Sequence, residues 1–155
     1  TLQLTDHRIA ATPDAYVKNE DTVVECKSVT SRNIEKWYDK IPDYYHIQVL
    51  TQMLVVGSSA GYIGALEEGD PYDCEYRFVA WKVNRNERIL QILKQEVDRF
   101  WELTDSGQSF RVKSAIKSEV RHLLGENAVM ICPTERPKVK EIDHEEEISR
   151  ILSLF

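Results

Sequence analysis

The stretch ATPDAYVKNEDTVVECKS, residues 11–28, predicts two short strands joined by the polar turn KNED. Pro13 restricts the residue before it to an extended backbone, and TVVECKS is rich in β-branched residues. Within the second strand Glu25 and Lys27 are two residues apart, so their side chains project from one face, while Cys26 is expected to point into the core. The pattern therefore predicts an acidic and a basic side chain next to each other on a strand.

The charged residues of this stretch, Asp14, Glu25 and Lys27, have two interpretations. Asp14 and Glu25 would supply two carboxylates from neighbouring strands, and Mg2+ or Mn2+ takes such hard oxygen ligands. An ion held in this way activates water and stabilises the charge that develops on a phosphodiester. The Cys26 carbonyl can face the same ion, with Lys27 beside it to orient the water or neutralise a phosphate. The alternative is a strand pair with ordinary surface charges, and spacing alone leaves both readings open.

The next element, PDYYHIQVLTQMLVVG at residues 42–57, predicts a helix that ends at its final glycine. Counted by three and four, Tyr44 or Tyr45, Gln48 and Gln52 fall along one flank, and apolar residues fall along another. A polar flank of this kind is either solvated or directed at a site. The spacing assigns no role to Gln52.

The remaining pattern predicts the fold class. AGYIGALEE and CEYRFVAWKV predict a hairpin around the turn GDPYD, and Asn86 precedes a long amphipathic helix that ends at Gly107. The order of strands, helix, strands and helix predicts an α/β (α+β) fold in which helices flank a central mixed sheet. We predict a core over residues 1–106 and a mainly helical accessory segment over residues 107–155.

Composition limits the classes of partner and compartment. The chain has 155 residues and a formal net charge of -6, so any binding of a polyanion must rest on a local site. Three cysteines lie far apart without a CxxC pair, which argues against a disulfide framework or a zinc cluster and favours the cytoplasm. The sequence has no apolar run long enough for a membrane span and no export leader, so we expect no membrane partner.

Three motifs in the order TPDAY, ECKSVTSR and YYHIQVLTQM resemble the PD-(D/E)XK nuclease superfamily, and within it the lambda exonuclease-like branch of phage recombination nucleases. They resemble that branch's strand-entry motif, its Glu-x-Lys strand with a Thr-Ser-Arg loop, and its Tyr-x-x-Gln helix. The resemblance covers about residues 10–105. It implies a restriction-endonuclease-like nuclease core over residues 1–106.

The resemblance also implies roles for individual residues. Asp14 and Glu25 would bind Mg2+, for which Mn2+ would substitute, and the Cys26 backbone carbonyl would complete the inner shell. Lys27 would position or activate the attacking water. Gln48 would hold the lysine or the scissile phosphate. The residues implied to contact DNA are Ser31, Arg32 and Tyr45.

Members of the branch degrade linear double-stranded DNA from 5' to 3' and feed single-strand annealing recombination. The resemblance thus implies a Mg2+-dependent exonuclease in the cytoplasm of a bacterial or phage-infected cell. Its implied partners are DNA, further copies of itself and a single-strand annealing protein.

One departure from the branch supports an alternative. In the branch a further acidic ligand comes from helices before the Pro-Asp strand, whereas about a dozen residues precede Asp14 here, and Asp6 lies too close along the chain to replace it. The chain also begins at Thr1 without an initiator methionine, as expected for a fragment. The alternative is a nuclease-fold DNA-binding or assembly module that is catalytically incomplete.

Overall fold

The computed structural model of the chain describes residues 1–68 and 76–133. The predicted fold class is confirmed, because a mixed sheet and helices make up this part of the chain. In chain order the elements are β1 Leu2–Leu4, β2 Ile9–Ala11, β3 Ala15–Val17, β4 Thr22–Val29, α1 Ser31–Trp37, α2 Asp43–Val56, β5 Ala60–Glu67, β6 Phe78–Asn84, α3 Glu87–Asp105, α4 Ser114–Gly125 and β7 Ala128–Pro133.

The main sheet has five strands in the order β3-β4-β5-β6-β7. Strands β4 and β5 are parallel, and every other neighbouring pair is antiparallel. Parallel neighbours require a crossover connection, which α1 and α2 supply. The predicted hairpin is confirmed by the antiparallel pairing of β5 with β6, and its turn GDPYD lies outside the described residues.

One face of the sheet, here called the covered face, packs against α1 and α2. Gly61 on β5 lies against Val49 and Met53 of α2 and against Val23 of β4. The Trp81 indole N–H on β6 donates to the Trp37 carbonyl at the end of α1, at 2.9 Å. Helices α3 and α4 pack against α2 and against each other. The fully buried large side chains of this core include Val23, Ile34, Trp37, Val49, Leu50, Met53, Ile63, Val79, Val83, Ile89 and Leu90.

The opposite face of the sheet, here called the open face, carries many exposed side chains. Cys26 and Ser28 of β4 are exposed, and Leu66 and Val129 are 47% and 58% exposed. Strand alternation explains the contrast, since neighbours along a strand point to opposite faces. The two faces therefore differ in burial within each strand.

The ends of the two longer helices follow their predicted signals. Helix α2 ends at Gly57, whose φ of 81° lies in the left-handed region and whose N–H donates to the Met53 carbonyl. Helix α3 begins after Asn86, whose side chain accepts the Ile89 N–H at 3.2 Å. In the described ranges, no helix has both the length and the apolar character that a bilayer span requires.

The hairpin of β1 and β2 is fastened to α3. His7 lies 2.8 Å from the Asp98 carboxylate, and Arg8 donates to Asp105 at 2.7 Å. The Arg8 guanidinium also lies over the Trp101 ring, 3.9 Å from its centroid. These contacts hold β2, which leads directly into the residues before Asp14.

Residues 107–133 contribute α4 and β7 to the same body. Strand β7 pairs with β6 at the edge of the main sheet, and Val120 and Leu124 of α4 are buried in the common core. The boundary at residue 106 stays a prediction. Residues 134–155 lie outside the described part of the chain.

Candidate active site around Glu25

Glu25 is the centre of a polar cluster beneath α2. It is only 4% exposed on the covered face of β4. Its Oε1 accepts hydrogen bonds from the Lys27 ammonium and from Gln48 Nε2, the latter at 2.7 Å. Its Oε2 accepts from Gln52 Nε2 at 2.6 Å. A buried carboxylate is tolerated when donors surround it, and here three donors converge on two oxygens.

Strand alternation brings Glu25 and Lys27 together, as the sequence predicted. The expected direction of Cys26 was wrong, because its side chain is exposed rather than in the core. Alternation fixes only that Cys26 opposes Glu25. Since α1 and α2 cover the Glu25 side, Cys26 lies on the open face.

Asp14 approaches this strand from the neighbouring one. It is exposed and directly precedes β3, whose Ala15 pairs with Val24. Its Oδ2 accepts the backbone N–H of Cys26 at 2.7 Å. Asp14 thus contacts the Glu-Cys-Lys segment through the backbone of Cys26, the residue whose carbonyl was predicted as a metal ligand.

The aromatic residues of α2 lie beside the lysine. The Lys27 ammonium is 5.0 Å from the centroid of the Tyr45 ring, within range of a cation–π interaction. Tyr45 in turn packs against Tyr44 and Trp37, with ring centroids 3.9 and 5.4 Å away. The structure therefore brings Tyr45 into the same cluster as Lys27 and Gln48.

Ser31 and Arg32 lie at the start of α1, and their side chains are exposed. They are not among the residues that donate hydrogen bonds to Glu25. The Ser31 carbonyl accepts a hydrogen bond from Arg77 at 3.1 Å. Arg77 also forms ion pairs with Glu67 and Glu35. These bonds link the start of α1 to β5 and to the residue before β6.

The same arginine controls the ionisation of Glu67. Two hydrogen bonds from Arg77 outweigh the effect of burial and lower the pKa of Glu67 to about 2. The pKa of Arg77 is raised by the same contact. Both groups are thus charged near neutral pH, so their ion pair is intact there.

Gln52 is the residue of this cluster to which the sequence assigned no role. Its position four residues after Gln48 was a usable signal, because i and i+4 side chains lie on one flank of a helix. Both glutamines also line an open pocket of about 270 Å3. Its other lining residues are Ala10, Ala11, Thr12 and Thr51.

Among the described residues, no group of three or more His, Cys, Asp or Glu side chains is arranged to hold a metal ion. The carboxylates at the site are those of Asp14 and Glu25. Mg2+ usually keeps several waters and binds proteins through one or two carboxylates. A carboxylate offers about four lone-pair positions, and three donors occupy Glu25, so one position on Oε2 stays open. This donor set fits a largely hydrated cation.

The first part of the chain matches a known family. Residues 1–62 match the model of the YqaJ-like viral recombinase domain. The resemblance to the lambda exonuclease-like branch is confirmed. The matched region extends from β1 into β5 and contains Asp14, Glu25, Lys27 and Gln48.

A curated relative gives a weaker, partial match. The uncharacterized protein YqaJ of Bacillus subtilis (strain 168) is 26% identical over 96 residues, which cover 60% of this chain. The matched region spans 28% of the length of that relative. No solved structure matches the chain.

Proposed function

We propose that the chain carries the catalytic part of a Mg2+-dependent DNA nuclease that acts as a 5'-3' exonuclease on linear duplexes in phage-type recombination. One observation carries the proposal: a buried Glu25 bonded to Lys27 and Gln48, within a region that matches a viral recombinase domain. On an ordinary strand pair with surface charges, Glu25 would be exposed to solvent.

The residues divide the chemistry among them. Asp14 and Glu25 would hold the cation, with the Cys26 carbonyl as a further oxygen ligand. The cation would supply charge stabilisation and an activated water. Lys27, with its ammonium held by Glu25, would neutralise the scissile phosphate or orient the water, and Tyr45 would limit where that ammonium moves. Ser31 and Arg32 would contact the DNA backbone.

The test removes the lysine and checks that the fold is retained. In the presence of Mg2+, we expect Lys27→Ala to lower the rate of digestion of linear duplex DNA by at least about 100-fold. Lys117→Ala is the matched control, since Lys117 is exposed on α4. Far-ultraviolet circular dichroism checks that both variants fold. Equal digestion by Lys27→Ala and the unmodified chain would sink the proposal.

Two substrate comparisons test the finer claims. A duplex labelled at its 5' end should release label before one labelled at its 3' end, and a covalently closed circle should resist digestion. Early release of 3' label would reverse the proposed polarity. The proposed homo-oligomer and annealing-protein partner stay predictions.

A second candidate is a nuclease-fold module that binds DNA without cutting it. The observation in its favour is that both carboxylates already have protein donors, Asp14 from the Cys26 N–H and Glu25 from three side chains. A chain that retards linear duplex DNA in a gel, yet leaves its length unchanged in Mg2+ and in Mn2+, would favour this module.

A further inference from the structure

Gln52 has a contact with Glu25 that its neighbours on α2 do not duplicate. Its side chain is only 3% exposed, and its Nε2 donates to Glu25 Oε2 at 2.6 Å. Gln48, one turn earlier, donates to the other carboxylate oxygen. The two amides therefore fix the carboxylate at both of its oxygens, and Gln52 does so from the more buried position.

The chemistry of the amide determines which way it points. An ionised carboxylate only accepts hydrogen bonds, so the NH2 group of Gln52 must face Glu25 and its carbonyl oxygen must face away. Within the described residues, Oε1 of Gln52 is the buried side-chain polar atom without a hydrogen-bond partner. Buried unpaired acceptors are rare in folded proteins, so the bond from Nε2 to Glu25 sets the orientation of this amide at the cost of an unpaired oxygen.

We propose that Gln52 is a positioning residue of the Glu25 site, which holds the carboxylate through its Nε2 hydrogen bond in the orientation that a divalent cation would require. The inference rests on the proposed function, since it assumes that Glu25 is a cation ligand. Residues that donate hydrogen bonds to a metal-ligating side chain orient it, and their loss typically costs 10- to 100-fold in metal affinity or activity.

Metal affinity and turnover test the proposal together. Titration calorimetry with Mn2+ in the absence of DNA should give a dissociation constant about 10- to 100-fold higher for Gln52→Leu than for the unmodified chain. With Mg2+ and linear duplex DNA, kcat should fall by a similar factor while KM for DNA stays unchanged. Gln91→Leu, at an exposed position on α3, should leave all three quantities unchanged.

A second variant separates positioning from packing. Gln52→Met keeps an unbranched side chain of similar length, but it cannot donate a hydrogen bond to Glu25, so Mn2+ affinity should fall as with leucine. If Gln52→Leu does not fold, Gln52→Met, which is unbranched, takes its place.

Three results would overturn the inference. They are unchanged Mn2+ affinity and kcat in the folded leucine or methionine variant, a loss of thermal stability alone, and an unmodified chain that binds no Mn2+. Failure of the proposed function looks different. In that case the Gln52 variants bind Mn2+ more weakly than the unmodified chain, yet Lys27→Ala digests DNA at the unmodified rate.

Discussion

The two faces of strand β4 reverse the usual distribution of side chains. On the covered face Glu25 and Lys27 lie between the buried residues Val23 and Val29, whereas Cys26 is exposed on the open face. Apolar and cysteine side chains are normally buried, and charged ones are almost never fully buried unless paired. The pairing here comes from Lys27 and from two amides of α2.

Charged side chains on the buried face of a strand indicate a candidate functional site. A charged group beneath a helix is costly to desolvate, and a hydrophobic residue at the same position would often be as stable or more so. Sequences that break local rules of burial tend to do so at functional sites. The covered face of β4 is therefore the face to which we assign the proposed chemistry, while the exposure of the open face follows from strand alternation.

The largest expected effect comes from breaking the polar cluster on the covered face. Glu25→Ala leaves the Lys27 ammonium and the amides of Gln48 and Gln52 without their common acceptor. Breaking a buried ion pair in this way costs about 3–5 kcal/mol in the free energy of unfolding. Urea denaturation followed by circular dichroism measures the loss.

Cys26→Ala is the matched control for this prediction, because it lies next to Glu25 on the same strand but on the open face. Surface substitutions of this kind usually change stability by about 0.5 kcal/mol or less. Equal losses for the two variants would mean that the faces of β4 do not differ energetically.

Sequence patterns predicted the elements that local rules specify. The alternation of β4, the glycine after α2 and the asparagine before α3 each act over a few residues, and each was found. The direction of the Cys26 side chain was predicted wrongly because the same local rule has a limit. A period of two says which side chains share a face, but only the packing of α1 and α2 determines which face is covered.

The parts of the site that the sequence did not predict depend on contacts between distant residues. Gln52 lies on the predicted polar flank, yet whether that flank meets solvent or Glu25 depends on how α2 crosses β4. Arg77 joins Glu67 across a strand pair and reaches Glu35 on α1. No spacing rule along the chain connects residues that meet only after the sheet has formed.

His46 on α2 provides a second, smaller test of burial near the covered face. Among the described residues, its ring lies 3.4 Å from the neutral amide of Asn127, whereas Glu25 accepts from a charged ammonium. Burial lowers its pKa from 6.5 to about 4, although Asp43 opposes the effect. The folded state therefore binds fewer protons than the unfolded state between these two values. Stability should be full above about pH 6.5 and fall by about 3 kcal/mol as the pH approaches 4.

Urea denaturation between about pH 7.5 and pH 4.5 checks this expectation. His46→Gln keeps a polar side chain that does not titrate, so its stability should decline less steeply in this range than that of the unmodified chain. His122→Gln, at an exposed position on α4, should follow the unmodified curve. Parallel curves for His46→Gln and the unmodified chain would contradict the assignment of this dependence to His46.

The smallest expected effect compares two glycines of β5 that point to opposite faces. A Cβ at Gly61 would lie 2.4 Å from Val49 Cγ1 and 3.2 Å from Met53 Sδ on the covered face. Both neighbours are fully buried, so Gly61→Ala should overpack the core and cost about 1–3 kcal/mol.

On the open face a Cβ at Gly64 would lie 2.9 Å from the edge of the Phe78 ring. That ring is only partly buried and can turn away, and alanine also restricts the unfolded chain more than glycine does. The close contact with the Phe78 ring destabilises the folded state, whereas the restriction of the unfolded chain favours folding. Because the two effects oppose each other, Gly64→Ala should change the free energy of unfolding by less than about 1 kcal/mol. Urea denaturation of both variants measures the difference. If Gly64→Ala cost as much as Gly61→Ala, the open face would be as tightly packed as the covered one, and the contrast drawn from β4 would be limited to that strand.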